Sequence, residues 1–229
     1  MNNVTAIILA GGIGSRMNTD KTKQNIVISG KTILQRSLDA FCLSHLVSDI
    51  VIVARSNEID DIKQLVSAYN SKQITVVEGG HTRAHSAANG FSAIGYDSNF
   101  VAIHDSARCL ITPDMIDTVI QEAFKCGAAT AVCAVTDTVK IVNNEGFICD
   151  TLPRDNVYRA QTPQVFSVSI YRKALYNSLS ELDRITDDNM LVEKIGEKIS
   201  CVNLGWSNIK ITTSEDIGLA EFILSQRGE

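Results

Sequence analysis

The sequence predicts an α/β protein built on a doubly wound, mainly parallel sheet, with a protruding β-hairpin arm. Three observations carry that expectation. Apolar runs of strand length alternate with amphipathic stretches of helix length. The first run, Val4-Thr5-Ala6-Ile7-Ile8-Leu9, is continuous rather than alternating, as a strand covered on both faces requires. The rhythm then breaks between about residues 138 and 161, where short extended segments surround a polar turn.

Taken in order, a strand over residues 5–9 leads through a glycine-rich loop to a helix near 33–43. A strand at 49–54 precedes a helix around 60–68, and 74–77 forms a third strand. Residues 86–94 read as helical and 100–104 as another apolar strand. Over 113–125, Ile116, Val119, Ile120 and Phe124 fall on one helical face. Residues 128–135 form a strand of small and β-branched side chains. In the interruption, Val139-Lys140-Ile141-Val142 and Phe147-Ile148-Cys149 flank the turn Asn143-Asn144-Glu145-Gly146, and residues 156–159 extend after Pro153. A two-stranded ribbon is marginal alone in water, so this arm is expected to pack on another subunit. Helices return around 169–179 and 189–194. A strand at 198–203 and the segment 209–212 precede a final helix over 214–226, with Ser214 and Asp216 at its N-cap. The whole reads as one domain, 1–229, with the arm at about 138–160.

A composition of 45% hydrophobic and 21% charged residues suits a globular chain with a real core. The net charge of −5 leaves no basic face for a nucleic-acid backbone, so a polyanionic ligand must meet a local cluster of cations. No apolar run reaches transmembrane length, and the N-terminus lacks a signal-peptide pattern. No membrane association is therefore expected, and a cytoplasmic location is. The six cysteines include no Cys-x-x-Cys pair, which fits neither a zinc site nor a disulfide framework. His81 and His85 flank a loop-to-helix start, where a metal role is not expected.

The candidate chemistry lies where strands end. Gly11, Gly12 and Gly14 let the backbone turn sharply beside a bound group, and the N–H groups of such a turn form a cradle for phosphate oxygens. Arg16 and Lys23 add two positive charges at its mouth. The run is not a Walker loop, and Met17 stands where a dinucleotide fingerprint needs its third glycine. Gly79-Gly80-His81-Thr82-Arg83-Ala84-His85-Ser86 repeats the arrangement after the third strand and suits a second wall of the pocket. Ser86 there either hydrogen-bonds a base edge or caps the helix. His104-Asp105-Ser106-Ala107-Arg108 ends a further strand, at the sheet edge where ligands bind. Facing a triphosphate cradle, Asp105 is a natural Mg²⁺ ligand; the other readings are a turn cap or a pair with Arg108. Lys210 sits opposite Ile209 and Ile211 in an apolar alternation, where a solvated lysine is the default. Thr138, Arg154, Thr186, Asp187 and Asp188 are weaker candidates, polar residues in expected loops. No Ser-His-Asp set or activated cysteine is visible.

In this order the motifs resemble the 2-C-methyl-D-erythritol 4-phosphate cytidylyltransferases of the non-mevalonate isoprenoid pathway, and their close relatives the ribitol-5-phosphate cytidylyltransferases. They are Ala10-Gly11-Gly12-x-Gly14-x-Arg16-Met17, Lys23-Gln24, Gly79-Gly80-x-x-Arg83-x-x-Ser86, His104-Asp105-x-Ala107-Arg108, Asp137-Thr138, Arg154-Asp155-Asn156, Gln161-Thr162-Pro163-Gln164, Thr186-Asp187 and Asn208-Ile209-Lys210-Ile211-Thr212. The resemblance covers nearly the whole chain and implies a Rossmann-like nucleotidyltransferase. It also implies CTP and a methylerythritol phosphate as substrates, Mg²⁺ or another divalent cation, and diphosphate as product.

By the same resemblance, Arg16 and Lys23 hold the triphosphate, Lys210 supports the α-phosphate and Asp105 binds the metal. Ala10, Gly11, Gly80, His81 and Ser86 line the cytosine pocket, Gly12 and Gly14 complete the cradle, and Arg83 lies close to the nucleotide. Arg108, Thr186 and Asp187 shape the sugar-phosphate side. Thr138 and Arg154 belong to an arm that crosses a homodimer, so that Arg154 meets the neighbouring subunit's substrate. Three departures stand out: Thr22 and Cys109 where the family tends to proline, and Asp188-Asn189-Met190 where it tends to small residues. The last bears on the acceptor, and ribitol 5-phosphate or another polyol phosphate is the alternative. A catalytically inactive nucleotide-binding regulator is a further alternative, opposed by the presence of Arg16, Lys23, Asp105 and Lys210 together.

Overall fold

A computed structural model describes residues 2–12 and 23–229. Gly14, Arg16, Met17 and Thr22 lie outside the described residues. In chain order the elements are β1 (Val4–Leu9), β2 (Val27–Ile28), β3 (Lys31–Thr32), α1 (Ile33–Leu43), β4 (Val47–Ala54), α2 (Ile59–Val66), β5 (Gln73–Glu78), α3 (Arg83–Ser92) and β6 (Phe100–Asp105). There follow α4 (Pro113–Cys126), β7 (Ala128–Ala134), β8 (Lys140–Val142), β9 (Ile148–Thr151), β10 (Tyr158–Ser167), α5 (Val168–Ser178), α6 (Asp188–Lys194), β11 (Ser200–Asn203) and α7 (Glu215–Arg227).

Seven strands form one sheet in the order β11-β7-β10-β6-β1-β4-β5. The β1/β4, β1/β6, β4/β5 and β11/β7 pairs are parallel, and β10 runs antiparallel to both β6 and β7. Every residue of β1 is buried, because helices cover both faces. Ile8 packs on one side with Leu34, Leu38 and Phe41 of α1 and Ile116, Val119 and Ile120 of α4. Ile7 packs on the other with Ala84 and Ala87 of α3, Tyr171 of α5 and Leu191 of α6. Neighbouring residues of one strand thus serve opposite layers, which is why the run is apolar throughout. A third cluster joins Ile211, Ile223 and Leu224 to Ile26, Ile28 and Ile33. Cys109 lies within it, so one of the family departures is a packed core side chain. Burial pushes its thiol up to about 11.

Helices α1, α3, α4, α5 and α6 each start at a capping side chain. Thr32 and Gln35 form a reciprocal capping box on α1. Thr112 caps α4, with Pro113 next and Gly127 closing the helix at φ 87°. Four expectations need correction. Helix α3 begins at Arg83, because the Thr82 hydroxyl accepts from the His85 amide; Ser86 is inside the helix and does not cap it. Residues 156–159 are not a short appendage, since Tyr158 opens the ten-residue strand β10. Ser214 makes no side-chain cap. Instead Asp216 accepts from the amides of Thr212 and Thr213, and residues 209–212 form a loop rather than a strand.

The interruption is a β8–β9 hairpin whose residues are all exposed, including Ile141, Val142 and Ile148. Among the described residues no helix is long and apolar enough to cross a membrane.

Helix α3 lies unusually close to the sheet at Gly90. A Cβ there would sit 2.5 Å from Ile7 Cγ2 and 2.7 Å from Val53 Cγ2. Gly90→Val is therefore expected to lose about 1–3 kcal/mol by overpacking, read as a lower denaturant midpoint at unchanged slope.

Candidate active site

The carboxyl ends of β1, β5 and β6 open onto one cleft of about 410 Å³. Its walls include Gly11, Gly12, Lys23, Gly80, His81, Arg83, Ser86, Asp105 and Lys210. Residues from five separate motifs of the sequence therefore meet at one place. Arg55, which directly follows β4, also lines the cleft and was missed in the sequence reading. Its signal was the same as elsewhere, a cation at the end of an apolar strand.

The centre is Asp105, the last residue of β6. Its Oδ1 accepts from Arg83 Nε at 2.9 Å, and its Oδ2 accepts from Lys210 Nζ at 2.7 Å. Burial alone would raise this carboxyl, but the charges of Arg83 and Lys210 overcome burial and hold it well below the ordinary carboxylate range. Asp105 is thus ionised at neutral pH. Neither a turn cap nor a pair with Arg108 describes its side chain, and Lys210 is not a merely solvated lysine.

Each cation is positioned by its own local structure. Arg83 opens α3, and its Nη1 donates to Asp188 Oδ2 at 2.7 Å. Asp188 is fully buried and accepts at Oδ1 from the Tyr171 hydroxyl at 2.6 Å. Its amide donates to Gln164 Oε1 at 2.9 Å. Burial opposes the Arg83 charge, yet Asp188 and Asp105 together raise its pKa above the ordinary arginine value. Asp188 therefore faces the interior behind Arg83, and the sequence reading that tied it to the acceptor is revised.

Lys210 is carried by a loop tied to β10. Asn208 Nδ2 donates to Gln161 Oε1 and to the Thr162 carbonyl, at 3.1 and 3.0 Å. The pairing of β10 with β7 is interrupted between Ala160 and Gln164, and this bulge turns both groups toward Asn208. The Thr162 hydroxyl also accepts from the Asp105 amide at 3.1 Å and shares a 3.0 Å hydrogen bond with His104 Nδ1. Burial pushes His104 down to about 3, so it stays neutral against Phe41. Arg108 reaches the carbonyls of Asn208 and Ala160 at 2.9 and 3.1 Å, bracing the same loop. Asn208, Thr162, Gln164 and Tyr171 were not singled out from the sequence. The first three stood only as positions within quoted motifs.

Gly79 and Gly80 bring the β5–α3 loop against α3. A Cβ on Gly80 would fall 2.3 Å from His85 Cβ. The Gly80 amide donates to Ser86 Oγ at 3.1 Å, so Ser86 holds the glycine turn that borders the cleft. His81 stands exposed at the rim and meets Asp183 at 3.0 Å.

Among the described residues, Thr138, Arg154, Thr186 and Asp187 do not line this cleft. Asp187 caps α6 and accepts from Gln164 Nε2 at 3.0 Å. It lines a second cleft of about 400 Å³ with Thr130, Asn156, Tyr158 and Asn189. Thr186 is exposed and donates to Met190 Sδ at 3.0 Å. Thr138 is exposed near the arm, and Arg154 is exposed with Nη1 donating to the Thr136 carbonyl at 3.2 Å.

The chain matches the family model of 2-C-methyl-D-erythritol 4-phosphate cytidylyltransferase over residues 4–226. A relative of that name from Lachnoclostridium phytofermentans is 43% identical over 99% of this chain and 98% of its own. Another from Caldanaerobacter subterraneus is 38% identical over 97% and 99%. The solved structure of 4-diphosphocytidyl-2C-methyl-D-erythritol synthase from Anaerococcus prevotii superposes with a TM-score of 0.88 at 32% identity, over 98% of this chain and 96% of that one.

The buried Asp188 depends on the Tyr171 hydroxyl. Tyr171→Phe leaves a carboxylate oxygen without its donor and is expected to cost about 1.5–3 kcal/mol, measured by equilibrium unfolding.

Proposed function

The chain belongs to the 2-C-methyl-D-erythritol 4-phosphate cytidylyltransferase family, and from that premise we propose how its residues share the reaction. The protein is a nucleotidyltransferase of isoprenoid precursor biosynthesis: it transfers CMP from CTP to 2-C-methyl-D-erythritol 4-phosphate and releases diphosphate. In our reading, a phosphate oxygen of the acceptor attacks the α-phosphorus in line and the bond to diphosphate breaks. Such a step needs positioning and charge neutralisation, not a protein nucleophile.

The observation that carries the assignment is the Arg83–Asp105–Lys210 cluster, facing Gly11, Gly12 and Gly80 across one cleft. Lys210 supports the α-phosphate as negative charge builds there. Lys23 and Arg16 hold the triphosphate, with the amides of Gly11, Gly12 and Gly14 as its cradle; for Arg16 and Gly14 the support is the sequence alone. Ala10, Gly80, His81 and Ser86 border the base, and Arg83 fixes Asp105.

Asp105 fits a hard divalent cation such as Mg²⁺, since it is ionised and each oxygen accepts one side-chain hydrogen bond among the described residues. When bound, the cation neutralises charge on the triphosphate. Arg108 serves the acceptor side indirectly, by bracing the loop of Lys210. Thr186 and Asp187 border a separate acceptor-side cleft. The chain acts as one domain whose arm, at about 138–160, pairs two copies in the cytoplasm and brings Thr138 and Arg154 to the neighbour's acceptor. Support for the pairing is the exposed apolar surface of Ile141, Val142, Phe147 and Ile148.

Diphosphate release with CTP and Mg²⁺ tests the reading, comparing 2-C-methyl-D-erythritol 4-phosphate with ribitol 5-phosphate. Strong preference for the first is expected, and preference for the second would reassign the acceptor. Lys210→Ala is expected to lower kcat by roughly a hundredfold to a thousandfold, the scale of losing one donor to a developing charge. Arg154→Ala should raise the acceptor KM far more than it weakens CTP binding. Equal losses in steady-state kinetics and CTP titration would remove the arm from the site.

A further inference from the structure

Asp183 stands beside the two histidines at the rim of the cleft, and the catalytic reading has no use for it. Its Oδ1 lies 3.0 Å from His81 Nε2 and 3.7 Å from His85 Nδ1. One nitrogen of each ring and a carboxylate oxygen all fall within 4.8 Å of one another. The three side chains come from the loop before α3, the first turn of α3, and the 3₁₀ turn Leu179–Arg184. The two imidazole rings lie with centroids 3.8 Å apart and their planes tilted by 38°.

Two imidazoles and one carboxylate make a nitrogen-rich donor set. That set suits zinc and similar borderline transition metals better than Mg²⁺, which favours oxygen. With metal–ligand bonds of about 2.0–2.1 Å, tetrahedral neighbours stand about 3.3–3.4 Å apart. The separations of 3.0 and 3.7 Å bracket that value. His81 and Asp183 are exposed, so an ion has a direct path in. The Thr82 hydroxyl now lies 2.8 Å from His85 Nδ1 and would give that nitrogen up to the metal, keeping its capping bond from the His85 amide.

We propose that His81, His85 and Asp183 form a zinc-type divalent-metal site with a water in the fourth position, distinct from the Asp105 site across the cleft. Where His81 also borders the base, a corollary that rests on the proposed function, a bound zinc ion withdraws it and opposes CTP.

The experiment is a Zn²⁺ titration of the full chain by calorimetry, in excess Mg²⁺ so that hard oxygen sites are already filled. One Zn²⁺ per chain is expected. Asp183→Asn, an exposed change outside the nucleotide machinery, should weaken binding roughly tenfold to a hundredfold or more, on the scale that even supporting partners of a metal site carry. Its zinc-free turnover should stay at the parent level. His85→Gln should remove stoichiometric binding. Absence of Zn²⁺ uptake by the parent chain overturns the site. So does uptake that neither substitution changes, which would place the ion elsewhere, as at the exposed Cys126 or Cys201. Calorimetry does not read turnover, so failure of the cytidylyl-transfer reading leaves this result standing, and the reverse holds too.

Discussion

A buried carboxylate sets the terms for this site. Taking Asp105 out of water costs several kcal/mol unless opposite charge meets it at close range, and both its oxygens are met, by Arg83 and Lys210. The obligation then spreads. Arg83 has a fork to satisfy and finds Asp188; Asp188 is buried in turn and needs Tyr171 and Gln164. Lys210 needs a loop held in place, which Asn208 supplies by bonding to the β10 bulge. Most polar groups of this network are paired, while Arg83 Nη2, His104 Nε2 and Asn208 Oδ1 are buried without a hydrogen-bond partner among the described residues; the bonds that are made tie it to one geometry.

The sheet makes the network possible. Strands β1, β4, β5 and β6 are parallel, so their carboxyl ends and the loops after them share one edge. Covering both faces frees that edge from any role in the core. The antiparallel strand β10 contributes from the opposite direction. Its bulge lies beside the end of β6, where the Thr162 hydroxyl accepts from the backbone of Asp105 itself.

Much of this was legible in the residues. Continuous apolar runs marked the buried strands, and glycine or charge at their ends marked the cleft, because those signals lie within a few consecutive residues. Helix α1 lies where its periodicity put it. What escaped was non-local. Asp188 looked like a loop residue near an acceptor, since nothing in the sequence says that Arg83 approaches it from 105 positions away. Strand β10 was half hidden because its first residues, Tyr158 to Ala160, are exposed and its last are buried, so no single period runs through it. Arg55 needed the cleft to be seen before its neighbours were known. His81 and His85 could be read as a pair, whereas Asp183 reaches them only through the folding of the 3₁₀ turn.

The place of β10 in the sheet also bears on how the chain matures as it leaves the ribosome. Strands β1, β4, β5 and β6 are one another's neighbours and are complete once residue 105 has been made. Strand β7 has no neighbour among them: its partners are β10 and β11, which are synthesised later. Vectorial synthesis therefore yields a four-strand platform first, with the free flank of β6 awaiting a strand that arrives only after the whole arm has been translated. Asp105 sits on that flank, so its part of the sheet closes only when β10 arrives, and the β7–β11 edge follows.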